Sequence, residues 1–198
     1  MPYPKQIESL KPRVAGLAKL NEKYGMKAMY HPGGGGFSFG FVDLLDLVRN
    51  FDPRHISIQY DTGNFQQTNQ QVLAQQIRIG GPYIGGFVFK DFVFEKSTPE
   101  TQAGNGPAGR GGGRGRSPNG WGSRQVPVGA GVLDLPLIAQ TLKQIGFDGP
   151  MECQPEWPEL GGANNGLDKI TIPCEELIAL LKRDYTTVTS ALAGAALV

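Results

Sequence analysis

The sequence predicts an α/β protein built on parallel strands. Three segments carry that prediction: His55 to Asn64 (HISIQYDTGN), Ile84 to Asp91 (IGGFVFKD) and Met151 to Trp157 (MECQPEW). Each is a short apolar run that ends in charged or amide side chains and is followed by a helical pattern. Repeated units of this kind specify parallel strands joined by right-handed crossovers. In such sheets ligands are held at the C-terminal strand ends, so the residues that argue the fold also nominate a site.

The elements follow in order. Ile7 to Tyr24 places Leu10, Val14, Leu17 and Leu20 on one helical stripe, and Met26 to Tyr30 is a short strand with His31 at its end. Val42 to Phe51 repeats the stripe through Leu44, Leu45, Leu47, Val48 and Phe51, and Asp52-Pro53 stops it before a strand at Ile56 to Asp61. Gln66 to Ile79 is the next helix, offering Val72, Leu73, Ile77 and Ile79 to the core, and Gly80-Gly81-Pro82 ends it. A strand at Phe87 to Asp91 comes next. Ser97 to Val126 is rich in Gly, Pro, Ser and Arg with almost no apolar residues, so it is expected to be a mobile, disordered insertion within a single domain spanning the chain. Asp134 is placed to cap a helix with Pro136 in its first turn, running to about Ile145. Met151 to Gln154 is the fourth strand. The last helix starts near Thr171 or Pro173, with Glu175 and Glu176 in its first turn and Lys182 and Arg183 further along, the polarity a helix dipole favours. The whole reads as a helix followed by about four βα units.

Composition narrows the function. A chain of 198 residues, 39% hydrophobic and 19% charged, is long enough for a substantial core. No run approaches the roughly 18 to 20 apolar residues of a spanning helix, and MPYPKQIESLKPR has no apolar signal region, so no membrane partner and a cytoplasmic location are expected. A net charge of +1 provides no general field for nucleic acid, and RGGGRGR (Arg110 to Arg116) reads as part of the insertion rather than as an RNA-binding element. Cys153 and Cys174 match neither zinc nor redox spacing and read as two reduced thiols. The run HPGGGGFSFGF meets neither nucleotide fingerprint, so no nucleotide cofactor is expected. Backbone amides of Gly33 to Gly40 are either an anion cradle or a flexible loop.

The strand ends supply the candidate residues. His31 lies beside four glycines that leave backbone room for a ligand, and is a candidate ligand or base. Asp61 closes an apolar strand, where an unpaired carboxylate is costly; it meets a cation or caps the loop through an Asx-turn with Gly63. Lys90 and Asp91 are adjacent, so a strand turns them to opposite sides. Lys90 is either a proton-transfer group or an ion-pair partner of Asp61 or Glu156. Gln59, Asn64, Gln154 and Trp157, at the same strand ends, are candidate substrate contacts. His55 begins its strand, at the opposite face, and reads as structural.

Five stretches, MKAMYHPGGG, DPRHISIQYDTGN, GGFVFKDF, VPVGAGVLDLPLIAQTLKQIGFDGP and QPEWPELGGANNG, together resemble the C-terminal half of sugar phosphate isomerase/epimerase-like proteins of the xylose isomerase-like TIM-barrel superfamily. The resemblance covers nearly the whole chain apart from the Gly/Arg-rich insertion. It implies a partial TIM barrel, with about four of the eight βα units a full barrel needs, and places Met1 just before the fourth helix. It also implies a small sugar substrate, proton transfer next to a carbonyl, and a divalent metal, manganese, magnesium or cobalt, held by residues on successive strand ends. Carried over position by position, the ligand set is His31 in place of the usual Glu, Asp61, and Glu156 or Glu152, with Glu156 preferred. The third ligand position is Val88, which cannot bind a metal. Lys90 shares the parity of Val88 and inherits part of its role. Asn64 stands where many relatives carry His. The other function class the half-barrel implies is a catalytically incomplete module for binding or self-assembly, whose open edges call for a homodimer or the missing N-terminal half.

Overall fold

The computed structural model describes residues 3–32, 40–96, 120–160 and 170–197. The glycines at 33–36, the arginine-rich run at 110–116 and most of the expected insertion lie outside the described residues. In chain order the elements are α1 (Tyr3–Tyr24), β1 (Ala28–Tyr30), α2 (Phe41–Val48), β2 (Ile56–Asp61), the one-turn α3 (Thr62–Phe65), α4 (Gln70–Gly80), β3 (Ile84–Phe89), β4 (Asp91–Lys96), β5 (Trp121–Val126), α5 (Leu135–Gln144), β6 (Met151–Cys153) and α6 (Cys174–Gly194). The chain forms two compact units, Met1–Val88 with Gln140–Glu152, and Phe89–Ala139 with Cys153–Val198.

The first unit is built on a parallel sheet of order β1-β2-β3-β6. Ala28, Met29 and Tyr30 are registered against Ile56, Ser57 and Ile58, and Asp61 against Val88. Alternation along β2 sends Ile58 and Tyr60 to one face and Ser57, Gln59 and Asp61 to the other. On the first face Tyr60 stacks on Phe87 at 5.3 Å between centroids and meets Phe41 and Phe65 edge-on or tilted. Its hydroxyl donates to Gln76 Oε1 at 2.6 Å. Burial, reinforced by the charge of Asp61, holds the Tyr60 phenol well above its ordinary value. The unfolded phenol ionises near pH 10 while the folded one does not, so above about pH 10 the unfolded state binds fewer protons and stability falls as pH rises. Urea midpoints at pH 9 and pH 11 should therefore fall further apart in the native chain than in Tyr60→Phe.

Three helical stripes differ from expectation. In α1 Ile7 and Asn21 are buried, whereas Leu17 and Leu20 are exposed. The inward face is set by Asn21, whose amide donates to the His55 carbonyl at 2.8 Å and so fixes the helix rotation. In α4 the buried residues are Leu73, Ala74, Ile77 and Gly80, and Val72 and Ile79 lie outside. Here Asn69 caps the helix by accepting from Gln71 N and Val72 N, starting it four residues later than the apolar pattern alone suggests. The helix expected at Val42 to Phe51 ends at Val48. His55 is structural, as its place suggests: its carbonyl also accepts from Ala28 N, and its Nδ1 pairs with the Met26 carbonyl.

The second unit departs most from the sequence reading. The strand expected to reach Asp91 ends at Phe89, and Asp91 opens a separate strand that pairs antiparallel with β5, Asp91 against Val126 and Lys96 against Trp121. Residues 121–126, assigned to the disordered insertion, are thus ordered strand. Phe94 stacks on Trp121 at 6.0 Å, and Arg124 binds Glu95 across the hairpin. Asp91 is 1% exposed and organises the loop that follows β5: Oδ2 accepts from Gly129 N (2.9 Å) and Gly131 N (3.0 Å), while Oδ1 accepts from Leu133 N (3.2 Å) and Phe92 N (2.8 Å). Gly129 has φ +90, and a side chain at Gly131 would collide with the Asp91 carboxylate. The VGAG motif is the shape of a loop wrapped round one carboxylate. Asp134 caps α5 as expected, accepting from Leu137 N at 3.0 Å.

Candidate active site

The C-terminal end of β2 turns directly into α3, and this turn builds the first polar cluster. Asp61 is fully buried. Its Oδ1 accepts from Gly63 N at 2.9 Å and Asn64 N at 3.0 Å, a helix cap made by the Asp-x-Gly sequence itself. Its Oδ2 lies 2.8 Å from His31 Nε2 and accepts from Asn64 Nδ2 at 2.7 Å. Asn64 Nδ2 also donates to the Pro32 carbonyl at 2.6 Å, tying the ends of β1 and β2 together. An ionised carboxylate only accepts, so a neutral His31 ring turns its protonated nitrogen, Nε2, toward Asp61. Nδ1 then carries the lone pair, on a side chain that is 37% exposed. On the same sheet face Gln59 Nε2 donates to Glu152 Oε2 at 3.1 Å.

A second cluster lies in the other unit. Lys90 follows β3 with its side chain 3% exposed, and its Nζ is 3.3 Å from Glu156 Oε1. Gln125, from β5, donates to Glu156 Oε2 at 3.0 Å. Gln154 N donates to the Phe89 carbonyl at 3.3 Å, placing Gln154 beside the residue that precedes Lys90. Trp157 is not available as a substrate contact. It is 1% exposed, its indole N–H donates to Asp184 Oδ2 at 2.9 Å, and the Arg183 guanidinium lies over the ring. A buried indole needs an acceptor, and Asp184 supplies it.

The described residues therefore bring together His31 with Asp61 and Asn64, Gln59 with Glu152, and Lys90 with Glu156. Among the described residues no group of three or more His, Cys, Asp or Glu side chains is placed to hold a metal ion. Each carboxylate has protein donors: Asp61 two backbone amides, an imidazole and an amide, Glu152 Gln59, and Glu156 Lys90 and Gln125. Val88, registered against Asp61, adds no donor.

Sequence reasoning missed Gln125 and, for Asp91, its role in organising the loop after β5. Phe92 to Lys96 (FVFEK) carries a strand signal of its own, which predicts a partner strand nearby and would have drawn attention to Gln125. Among the described residues Cys153 and Cys174 form no disulfide. Among the described residues no helix is long and apolar enough to cross a membrane.

A parallel sheet with polar side chains gathered at its C-terminal strand ends defines the class of α/β proteins that hold ligands there, barrels among them. Within that class the chain belongs to the xylose isomerase-like TIM barrel family, whose model matches residues 1–172. Among solved structures it is similar to a xylose isomerase-like TIM barrel protein from Mycobacterium smegmatis in complex with magnesium, with a TM-score of 0.58 and 16% identity over 96% of this chain and 52% of that one. It is similar to L-ribulose 3-epimerase, with a TM-score of 0.62 and 14% identity over 96% and 55% of the two chains. It is also similar to D-psicose 3-epimerase from Clostridium cellulolyticum H10, solved with D-tagatose, with a TM-score of 0.61 and 15% identity over 96% and 56%. The chain thus spans about half the length of the solved structures it matches. No curated protein matches it in sequence.

Proposed function

We propose that this chain carries the proton-transfer half of a sugar isomerase or epimerase, and that His31 is the base. The observation that carries the reading is the 2.8 Å contact between His31 Nε2 and the buried Asp61 carboxylate, at the ends of two adjacent parallel strands. Family membership and the neighbours named as epimerases support a sugar as the substrate class.

In this reading a sugar carbon next to a carbonyl presents its proton to His31 Nδ1. As the C–H bond breaks, its electron pair moves toward the carbonyl oxygen, giving an enediolate. The imidazole becomes an imidazolium, whose charge the fixed Asp61 carboxylate stabilises. Return of the proton from His31 to the former carbonyl carbon, with the neighbouring hydroxyl proton passing to the former carbonyl oxygen, gives an isomer; delivery of a solvent proton to the opposite face of the original carbon, His31 releasing the one it took to solvent, gives an epimer. Asn64 holds Asp61 and the Pro32 carbonyl in place, so the ring's position is set before substrate arrives. The test is deuterium incorporation at the carbon beside the carbonyl, followed by NMR across a panel of ketoses in D2O. Incorporation into at least one ketose is expected; none across the panel overturns the reading.

A further inference from the structure

The last helix carries an apolar row that its own chain covers only in part. In α6 the residues Cys174, Ile178, Leu181, Tyr185, Val188 and Leu192 are spaced alternately four and three apart, which lines them along one seam of the helix. Val188 and Leu192 are buried. Over that end the chain supplies its own cover: the Trp157 indole reaches Asp184 at 2.9 Å, and the loop at Gly129 lies against Thr187. The first three turns are different. Ile178, Leu181 and Tyr185 are 44%, 40% and 64% exposed, and Cys174 is exposed in line with them. An apolar seam left open over three turns is half of a packing surface.

The charges beside the open seam identify what covers it. Glu175 and Lys182, both exposed, lie two turns apart on one flank of the seam, the acid toward the helix N-terminus and the base toward its middle. Asp184, buried against Trp157, lies on the other flank. A second copy of the helix laid antiparallel on the seam sets Cys174 against Tyr185 and Ile178 against Leu181, each layer occurring twice about a two-fold axis. In that register Glu175 of each copy comes opposite Lys182 of the other. The overlap also stops at Tyr185, where the other copy's helix begins, so Val188 and Leu192 stay under their own chain. A parallel copy would bring Lys182 beside Leu177, pair neither charge, and run on over the two residues already buried. We propose that the first three turns of α6 are a self-association surface on which two copies of this chain pair antiparallel. The apolar side chains supply the affinity, and the two exposed ion pairs, each contributing little to it, fix the register. A contact of this length is at the small end of specific interfaces, so dissociation in the micromolar range is expected.

The test is sedimentation equilibrium of the full chain from micromolar to submillimolar concentration. Mean mass should rise from one chain to two and no further, because a two-fold contact closes on itself. Leu181→Glu places two carboxylates in the seam and should weaken association by roughly tenfold or more. Glu175→Lys alone and Lys182→Glu alone each set like charges opposite one another and should weaken it by roughly threefold to tenfold. The double variant rebuilds both pairs with their signs exchanged and should recover the native association. All three positions are exposed, so Tm should change little in each variant. Under oxidising conditions Tyr185→Cys should cross-link to Cys174 of the other copy, and adding Cys174→Ser should abolish that cross-link. A native chain that keeps the mass of one chain, association that grows beyond two, association indifferent to Leu181→Glu, or a double charge variant as weak as its singles would each overturn the pairing.

Discussion

Replacing Asp91 with alanine is expected to destabilise the chain by about 3 to 5 kcal/mol, among the largest effects of any single substitution here. The carboxylate accepts four backbone N–H groups, those of Phe92, Gly129, Gly131 and Leu133. Alanine leaves these donors facing a cavity in a region where Asp91 is 1% exposed. Each buried donor without a partner costs about 1 to 3 kcal/mol, less whatever water recovers by entering the gap. Gly131 cannot close in on the space by acquiring a side chain, and Gly129, at a φ of +90 that favours glycine, points its N–H at the carboxylate. For a chain of this size the loss corresponds to a fall in Tm of roughly 10 °C. Asp91→Asn should be intermediate, since one oxygen remains an acceptor while the amide end faces two N–H groups. Urea unfolding of both variants against the native chain measures the effect. A loss below about 1 kcal/mol for Asp91→Ala would show that the loop is held by other contacts.

The contrast between Asp91 and Asp61 shows how far the sequence could be read. Strand and helix order was legible because apolar runs ending in polar residues are local signals, and β2 ends at Asp61 as its pattern requires. The Asp-x-Gly turn was legible too, since a cap is made within four residues of chain. What escaped were partners distant in sequence. Asp91 bonds to residues about forty positions on, and Gln125 reaches Glu156 across 31. Neither pairing leaves a periodic trace. The hairpin of β4 and β5 was hidden because composition from Ser97 onward is dominated by glycine, so Trp121 to Val126 was averaged into its surroundings. The misjudged stripe of α1 has a related cause. Periodicity locates an apolar face, but the side-chain bond from Asn21 to the His55 carbonyl decides which face turns inward.

Replacing Asp61 with asparagine is expected to lower the rate of deuterium incorporation by roughly 100-fold to 10,000-fold with the fold preserved. Asparagine caps helices about as well as aspartate, so its oxygen keeps the bonds from Gly63 N and Asn64 N and the start of α3 survives. Its amide nitrogen then occupies the place of Oδ2, 2.8 Å from His31 Nε2. Two N–H donors cannot share that contact, so the ring moves its proton to Nδ1 and accepts through Nε2. The nitrogen assigned as the base is thereby blocked, although every heavy atom stays close to its original position. Asn64 Nδ2 loses one acceptor and retains the Pro32 carbonyl, so the change should lower Tm by only a few degrees. His31→Asn should remove the base directly, and the double variant should be no slower than either single one, because the two residues act as a unit. Incorporation by Asp61→Asn within roughly threefold of the native rate would show that His31 is not the base.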